Sequence, residues 1–179
     1  MVTDYLRDTL FDAAWFGLMT VVWLGWAQEK PPQRWRVPLA VGSALGVVIA
    51  VGMGVLVRVH WDAPSAMTGR EDWFGSLVGA EMLLAGVGGL VLWRTGRTQW
   101  IPLAVGLVVA LHFIPLGIIL SDPALPVLGV VQLVLVVLAA RAAERRSWRP
   151  SFPIGMVMGG SLLMFALIAA AISLTRVLG

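Results

Sequence analysis

Long apolar runs separated by short charged loops organise this sequence. Six runs stand out: Leu10–Ala27, Val37–Val57, Trp73–Leu92, Trp100–Leu120, Leu125–Ala143 and Pro153–Leu174. Each has the length, about 18–25 residues, that carries an α-helix across the hydrocarbon core of a bilayer. Backbone N–H and C=O groups find no partners in hydrocarbon, so runs of this kind are predicted to be helices. The alternating segments of an outer-membrane barrel are absent. The expected fold is therefore all-α, a polytopic six-helix bundle in which residues 1–179 form a single transmembrane domain. The leader before the first run carries Asp4 and Asp8 against Arg7. A cleaved signal peptide wants a positive leader, so the first run is expected to remain a helix.

Composition removes whole classes of function. Hydrophobic residues make up 59% of the chain and charged residues 13%, against about 25% charged in a soluble domain. The mean hydropathy is +0.87. The net charge of +3 is small and lies between apolar runs, so no nucleic-acid partner is expected. There are no cysteines, which excludes thiolate nucleophiles, Cys-ligated zinc and iron–sulfur clusters.

The sparse charges instead give a direction. Lys30, Arg34, Arg36, Arg94, Arg97, Arg141, Arg145, Arg146 and Arg149 follow the first, third and fifth runs. The other side has only Arg7, Arg58, Arg70 and Arg176. Nine cations against four place the first set in the cytoplasm, with both termini outside. The expected location is the cytoplasmic membrane of a bacterium. Trp26, Trp35, Trp93, Trp100 and Trp148 flank the inner boundary, and Trp61 and Trp73 the outer one, as in an aromatic belt.

Two runs open alike. Val37-Pro38-Leu39-Ala40-Val41-Gly42 recurs as Ile101-Pro102-Leu103-Ala104-Val105-Gly106, and the sixth run opens with Phe152-Pro153-Ile154-Gly155. Proline suits a first helical turn, because its missing N–H would be unpaired there. Either the chain consists of three tandem helical hairpins or a common apolar pattern has recurred by chance. Small residues at four-residue spacing (Gly42, Gly46, Ala50 and Gly54; Gly75 and Gly79; Gly155 and Gly159) allow close helix approach in lipid. The Gly42/Gly46/Gly54 and Gly155/Gly159 faces serve packing within the chain or a homo-oligomer.

Few polar side chains lie inside the runs, and an ionisable group there is costly enough to mark a functional candidate. They are Glu81, His112, Gln132 and Asp12. At 1.5 Å per helical residue, Glu81 and His112 both fall about 12 Å below the outer boundary and Gln132 about 10 Å, with Asp12 and Trp15 shallower. Pro115 removes the hydrogen bond to the Leu111 carbonyl, freeing an acceptor beside His112. A carboxylate beside an imidazole in low dielectric shares a proton or holds an ion pair, as acid/base chemistry and proton coupling both require.

The expected site is thus an intramembrane polar pocket open to the outer side. Glu81 and His112 are its catalytic candidates, and Gln132, Asp12, Trp15 and Arg58 its ligand-binding candidates. Plainer roles stand beside these. In the plainer reading Glu81, His112 and Gln132 are bonded together only to fix helix register. Asp8 reads as the N-cap of the first helix, Asp12 as a water-facing first-turn residue, and Arg58 as a snorkelling side chain that could also reach Asp12 or Glu81. His60, Asp62, Glu71 and Asp72 match no known metal spacing, so neither a metal nor a cofactor is expected. The Arg141–Arg149 cluster reads as a topology signal with some contact to anionic lipid. Phosphate-binding, zinc-protease, nucleophile-elbow and dinucleotide motifs are all missing.

Three functions fit. The first is binding of a small hydrophobic or lipid-like molecule, with acid/base catalysis of isomerisation or cyclisation type. The second is a small proton-coupled transporter or channel. The third is a non-catalytic membrane subunit or assembly factor.

Overall fold

The computed structural model describes residues 4–179. Its six long helices are α1 (Leu6–Ala27), α2 (Arg36–Val59), α3 (Glu71–Arg94), α4 (Ile101–Ile119), α5 (Ala124–Arg146) and α6 (Ser151–Leu178), with no strand among the described residues. All six are long and apolar enough to cross a membrane.

Most helices overrun the apolar runs, because helical turns continue into the polar boundary where backbone ends meet water. The N-cap of α1 is Tyr5, without a side-chain cap. Asp8 is therefore a first-turn residue and not the expected cap. Short 3-10 turns, Gln33–Trp35 and Thr98–Trp100, lead into α2 and α4. The two similar sequence openings thus share a local conformation, a tight turn ending on tryptophan. By contrast, α6 starts directly after Pro150.

Three helix ends close in the same way. The Arg97, Asp122 and Trp148 N–H groups reach back to the carbonyls of Leu92, Gly117 and Ala143. The residue just before each donor has positive φ: Gly96 at 71°, Ser121 at 54° and Ser147 at 52°. This 6→1 closure satisfies carbonyls that the helix leaves open.

The core gathers around α1 and α6. α1 packs most extensively on α6 and α2; α6 continues onto α5, and α4 lies between α5 and α3. Close approach depends on glycine. A methyl group at Gly17 would sit 2.8 Å from Ala50 N and 2.9 Å from Gly46 O, and one at Gly155 would sit 2.5 Å from Trp23 O. Gly42 and Gly159 face Leu24 equally closely. These four glycines of α2 and α6 (Gly42, Gly46, Gly155 and Gly159) are consumed within the chain by α1. Their close approach is thus explained by packing within the chain, and of the set considered from sequence only Gly54 has open space around it.

Around these contacts, Leu10, Phe16, Leu125, Leu128, Ile154, Met158 and Leu162 are essentially inaccessible. Phe16 of α1 meets Phe113 of α4 edge-on at 5.7 Å between ring centres.

The two ends of the bundle differ. At one, the 60–70 loop is strapped down. Arg7 donates to Trp61 O at 2.8 Å, Ala66 N–H donates to Asp8 Oδ2 at 2.7 Å, and Arg70 donates to Ile119 O at 2.6 Å. At the other, Arg149 pairs with Glu29 at 2.6 Å, and Phe152 packs between Trp35 and Trp148.

Candidate functional site

The site is built on the margin of the bundle, where α3 meets α4. No residue of α3 is fully buried. Its half-buried positions, Phe74, Leu77, Val78, Glu81, Ala85, Gly88, Gly89 and Leu92, recur at three- and four-residue intervals. That spacing makes one narrow stripe, the geometry of a helix with a single neighbour. Gly88 brings the Ala104 side chain of α4 within 3.5 Å of where a Cβ would stand. Glu81 lies in the middle of this stripe and so is directed at α4.

On the α4 side, His112 meets it. Glu81 Oε2 lies 2.5 Å from His112 Nδ1, with side-chain exposures of 15% and 12%. The contact has the distance of an ion pair but lacks the alignment of a hydrogen bond at Nδ1. The imidazole also meets the Phe113 ring edge-on at 5.8 Å. Pro115 lies within α4, one turn beyond His112. Chemically, an acid and a base sit in contact inside a membrane-spanning segment, sheltered but open at one edge. Such a pair can hold a proton in either position or pass one to a third group.

The structure brings together only two of the residues expected at one site. Gln132 is fully buried on α5 and donates through Nε2 to Ser161 Oγ of α6 at 2.8 Å, and Ser161 in turn donates to Met158 O at 2.9 Å. Gln132 thus belongs to the α5–α6 interior. Its rotation about the helix axis selects a partner on α6. Its Oε1 has no hydrogen-bond partner among the described residues.

Asp12 is buried and not water-facing, because α1 begins earlier than expected and the core closes around its first turns. Trp15 is 48% exposed and stacks on Phe11 at 6.3 Å on the outward face of α1. Arg58 is exposed and makes no ion pair with Asp12 or Glu81. No group of three or more metal-ligating side chains occurs among the described residues.

No family model, curated protein or solved structure matches this chain.

Two partners escaped the sequence reading. Ser161 is a small hydroxyl that also bonds its own helix backbone, so it carried no signal beyond being polar within a span. Ala66 binds Asp8 through its main chain alone, which a side-chain inventory cannot register. Arg70 was counted only as a charge, yet it satisfies the open carbonyls at the end of α4.

Proposed function

We propose that the chain is a membrane protein that takes a small hydrophobic or lipid-like molecule from the bilayer at the α3–α4 seam. There Glu81 and His112 exchange a proton with it in an acid/base step of isomerisation or cyclisation type. The observation that carries this reading is the 2.5 Å contact between Glu81 Oε2 and His112 Nδ1 within the spans. Its edge is open because α4 is the helix on which α3 packs. A molecule arriving sideways, through lipid, reaches that edge without crossing the strapped outer loop. Gln132 and Trp15 have no place in this version of the site.

Two further statements belong to the proposal. The loops after α1, α3 and α5 face the cytoplasm of a bacterial cell and both termini face outward, a reading supported by the nine-to-four partition of Lys and Arg. The chain also descends from three tandem hairpins, supported by the matching turns before α2 and α4. Reporter fusions at the two termini test the first statement, and cytoplasmic activity at either end rejects it.

The functional test compares wild-type protein with Glu81→Gln, both purified into lipid nanodiscs. Mass spectrometry of the bound hydrophobic molecules should show a species enriched on the wild type and lost from the variant, with helix content and yield unchanged. Identical bound species on both proteins would overturn the reading. A second reading, a non-catalytic subunit, draws on α3 having no buried residue. Stoichiometric co-purification of a larger membrane protein, lost when α3 is altered, would promote it. Proton-coupled transport has less behind it, since Gln132 is bonded to Ser161 and does not extend a polar route from His112.

A further inference from the structure

The end of the bundle opposite the strapped loop holds a cleft that the proposed function leaves unused. It lies between the end of α1 and the start of α2, has a volume of about 350 Å³, and is lined by Gln28, Glu29, Lys30, Pro31 and Arg36. We propose that it binds a phosphate-bearing anion, namely the headgroup phosphate of an anionic lipid.

Charge supports this assignment first. The one carboxylate in the lining, Glu29, is engaged by Arg149 of the α5–α6 loop at 2.6 Å. Lys30 and Arg36 have no hydrogen-bonded or ion-pair partner among the described residues. The cleft is therefore left with two uncompensated cations, one a compact ammonium and the other a planar guanidinium suited to two phosphate oxygens. The start of α2 adds to them. It has neither a side-chain cap nor an acidic residue in its first turn, so the positive end of its dipole points the same way.

Position supports it next. Trp26 stacks on Trp23 at 5.6 Å just before the cleft, and Trp35 packs on Phe152 just after it. Indole rings at the ends of spanning helices mark the headgroup level. The cleft therefore lies where lipid phosphates lie, at an end of the bundle rich in Lys and Arg. Pro31 and the 3-10 turn that follows Pro32 hold the connecting segment in one shape, so the two cations are presented by a fixed frame.

A second cleft at the same end makes a useful contrast. It has a volume of about 250 Å³ and is lined by Gln99, Trp100, Ala143, Glu144, Ser147, Trp148 and Pro150. Its only charged lining residue is Glu144, which repels an anion. The nearby Arg146 lies over the Trp148 ring at 4.7 Å. The basic end is therefore not uniformly anion-binding. One cleft is suited to a phosphate and the other is not.

The experiment titrates short-chain phosphatidylglycerol, short-chain phosphatidylcholine and inorganic phosphate separately onto the full chain in neutral detergent. Native mass spectrometry and thermal stabilisation provide the readouts. Wild type should bind phosphatidylglycerol in preference to phosphatidylcholine. The double variant Lys30→Gln/Arg36→Gln should bind it about 10-fold or more weakly, because each cation near a lipid surface contributes a separable attraction. Arg145→Gln/Arg146→Gln removes the same charge from outside the cleft and should weaken binding by less than about 2-fold. Both pairs are exposed, and unchanged helix content confirms that each variant is folded. Equal losses in the two double variants would mean diffuse attraction and would overturn the site. Inorganic phosphate that binds as tightly as the lipid would overturn the lipid assignment in favour of the soluble anion. Absence of preferential phosphatidylglycerol binding by wild type would overturn the proposal outright.

Discussion

The two seams of this bundle are built on opposite plans. Where α1 meets α2 and α6, glycine backbones touch, the side chains around them are buried, and the hydroxyls among them bond mainly to backbone, as Thr20 does to Phe16 O at 2.8 Å. Where α3 meets α4, a single stripe of half-buried residues makes the contact, and a carboxylate and an imidazole stand at its centre. In a bilayer, lipid competes for apolar surface, so helices associate through close packing and polar contacts instead of expulsion from water. The first seam uses close packing and the second combines modest packing with one polar contact. A tightly interlocked seam resists entry of a third molecule, whereas a seam held largely at one point can admit one. This contrast places the candidate chemistry at the margin and not in the core.

The largest effect should come from breaking the tight seam. Gly155→Leu drives a side chain into the backbone of α1, where the approach is already 2.5 Å for a methyl. It should cost about 3 kcal/mol or more, seen as loss of monodisperse protein on size exclusion. Gly79→Leu on α3 meets open space and should change stability by less than about 0.5 kcal/mol. If Gly79→Leu were as damaging as Gly155→Leu, α3 would have to be covered by another subunit, and the contrast between the seams would fail.

A smaller, local effect is expected at the loose seam. Glu81→Gln should lower hydrogen-exchange protection of α3 amides by about 1–2 kcal/mol while leaving α1 and α6 protected as before. Uniform loss across all six helices would show that the pair supports the whole fold. Asp8→Ala frees the Ala66 N–H and should loosen the 60–70 loop by about 1 kcal/mol, measurable as faster exchange or proteolysis confined to that loop. Smallest of all, Gln132→Met removes a buried amide whose Oε1 is unpaired. Its effect on stability should stay within about 1 kcal/mol, and binding at the α3–α4 seam should be unaffected. Loss of that binding would return Gln132 to the site.

Hydrophobic patterning made the helices legible, because a run such as Val37–Val57 has no other stable arrangement in a bilayer. It also predicted Glu81 and His112 at one level, since rise per residue is fixed, and the two side chains meet. Glu81 and His112 were matched on that ground alone. Rotation about the helix axis was not legible in the same way. Gln132 is expected from sequence near the depth of His112, yet it turns to Ser161, because helix neighbours and their azimuths depend on packing across the whole bundle. The glycine stripes show a related limit. Spacing revealed that Gly42 and Gly46 permit close approach, but not that α1 is the helix that approaches them. Helix ends were legible only to within a turn, which is why Asp8 is not a cap but part of the strap on the 60–70 loop.

The dominance of the α1–α6 contact has a consequence for how the protein is made. By hydropathy α1 is the weakest of the six spans, 1.4 against 1.7–2.3 for the others, and Asp8 and Asp12 both lie within it. Its most extensive partner is the sixth helix. Among these six spans, translation therefore delivers the least apolar one five helices before the neighbour it packs on most. Until α6 emerges, α1 can rest on α2 through Gly17, but the face that receives Gly155 and Gly159 is left to lipid or to whatever insertion machinery holds it. A ribosome stalled before Ser151 would leave a nascent chain in which α1 has α2 but not its most extensive neighbour, a substrate for membrane quality control.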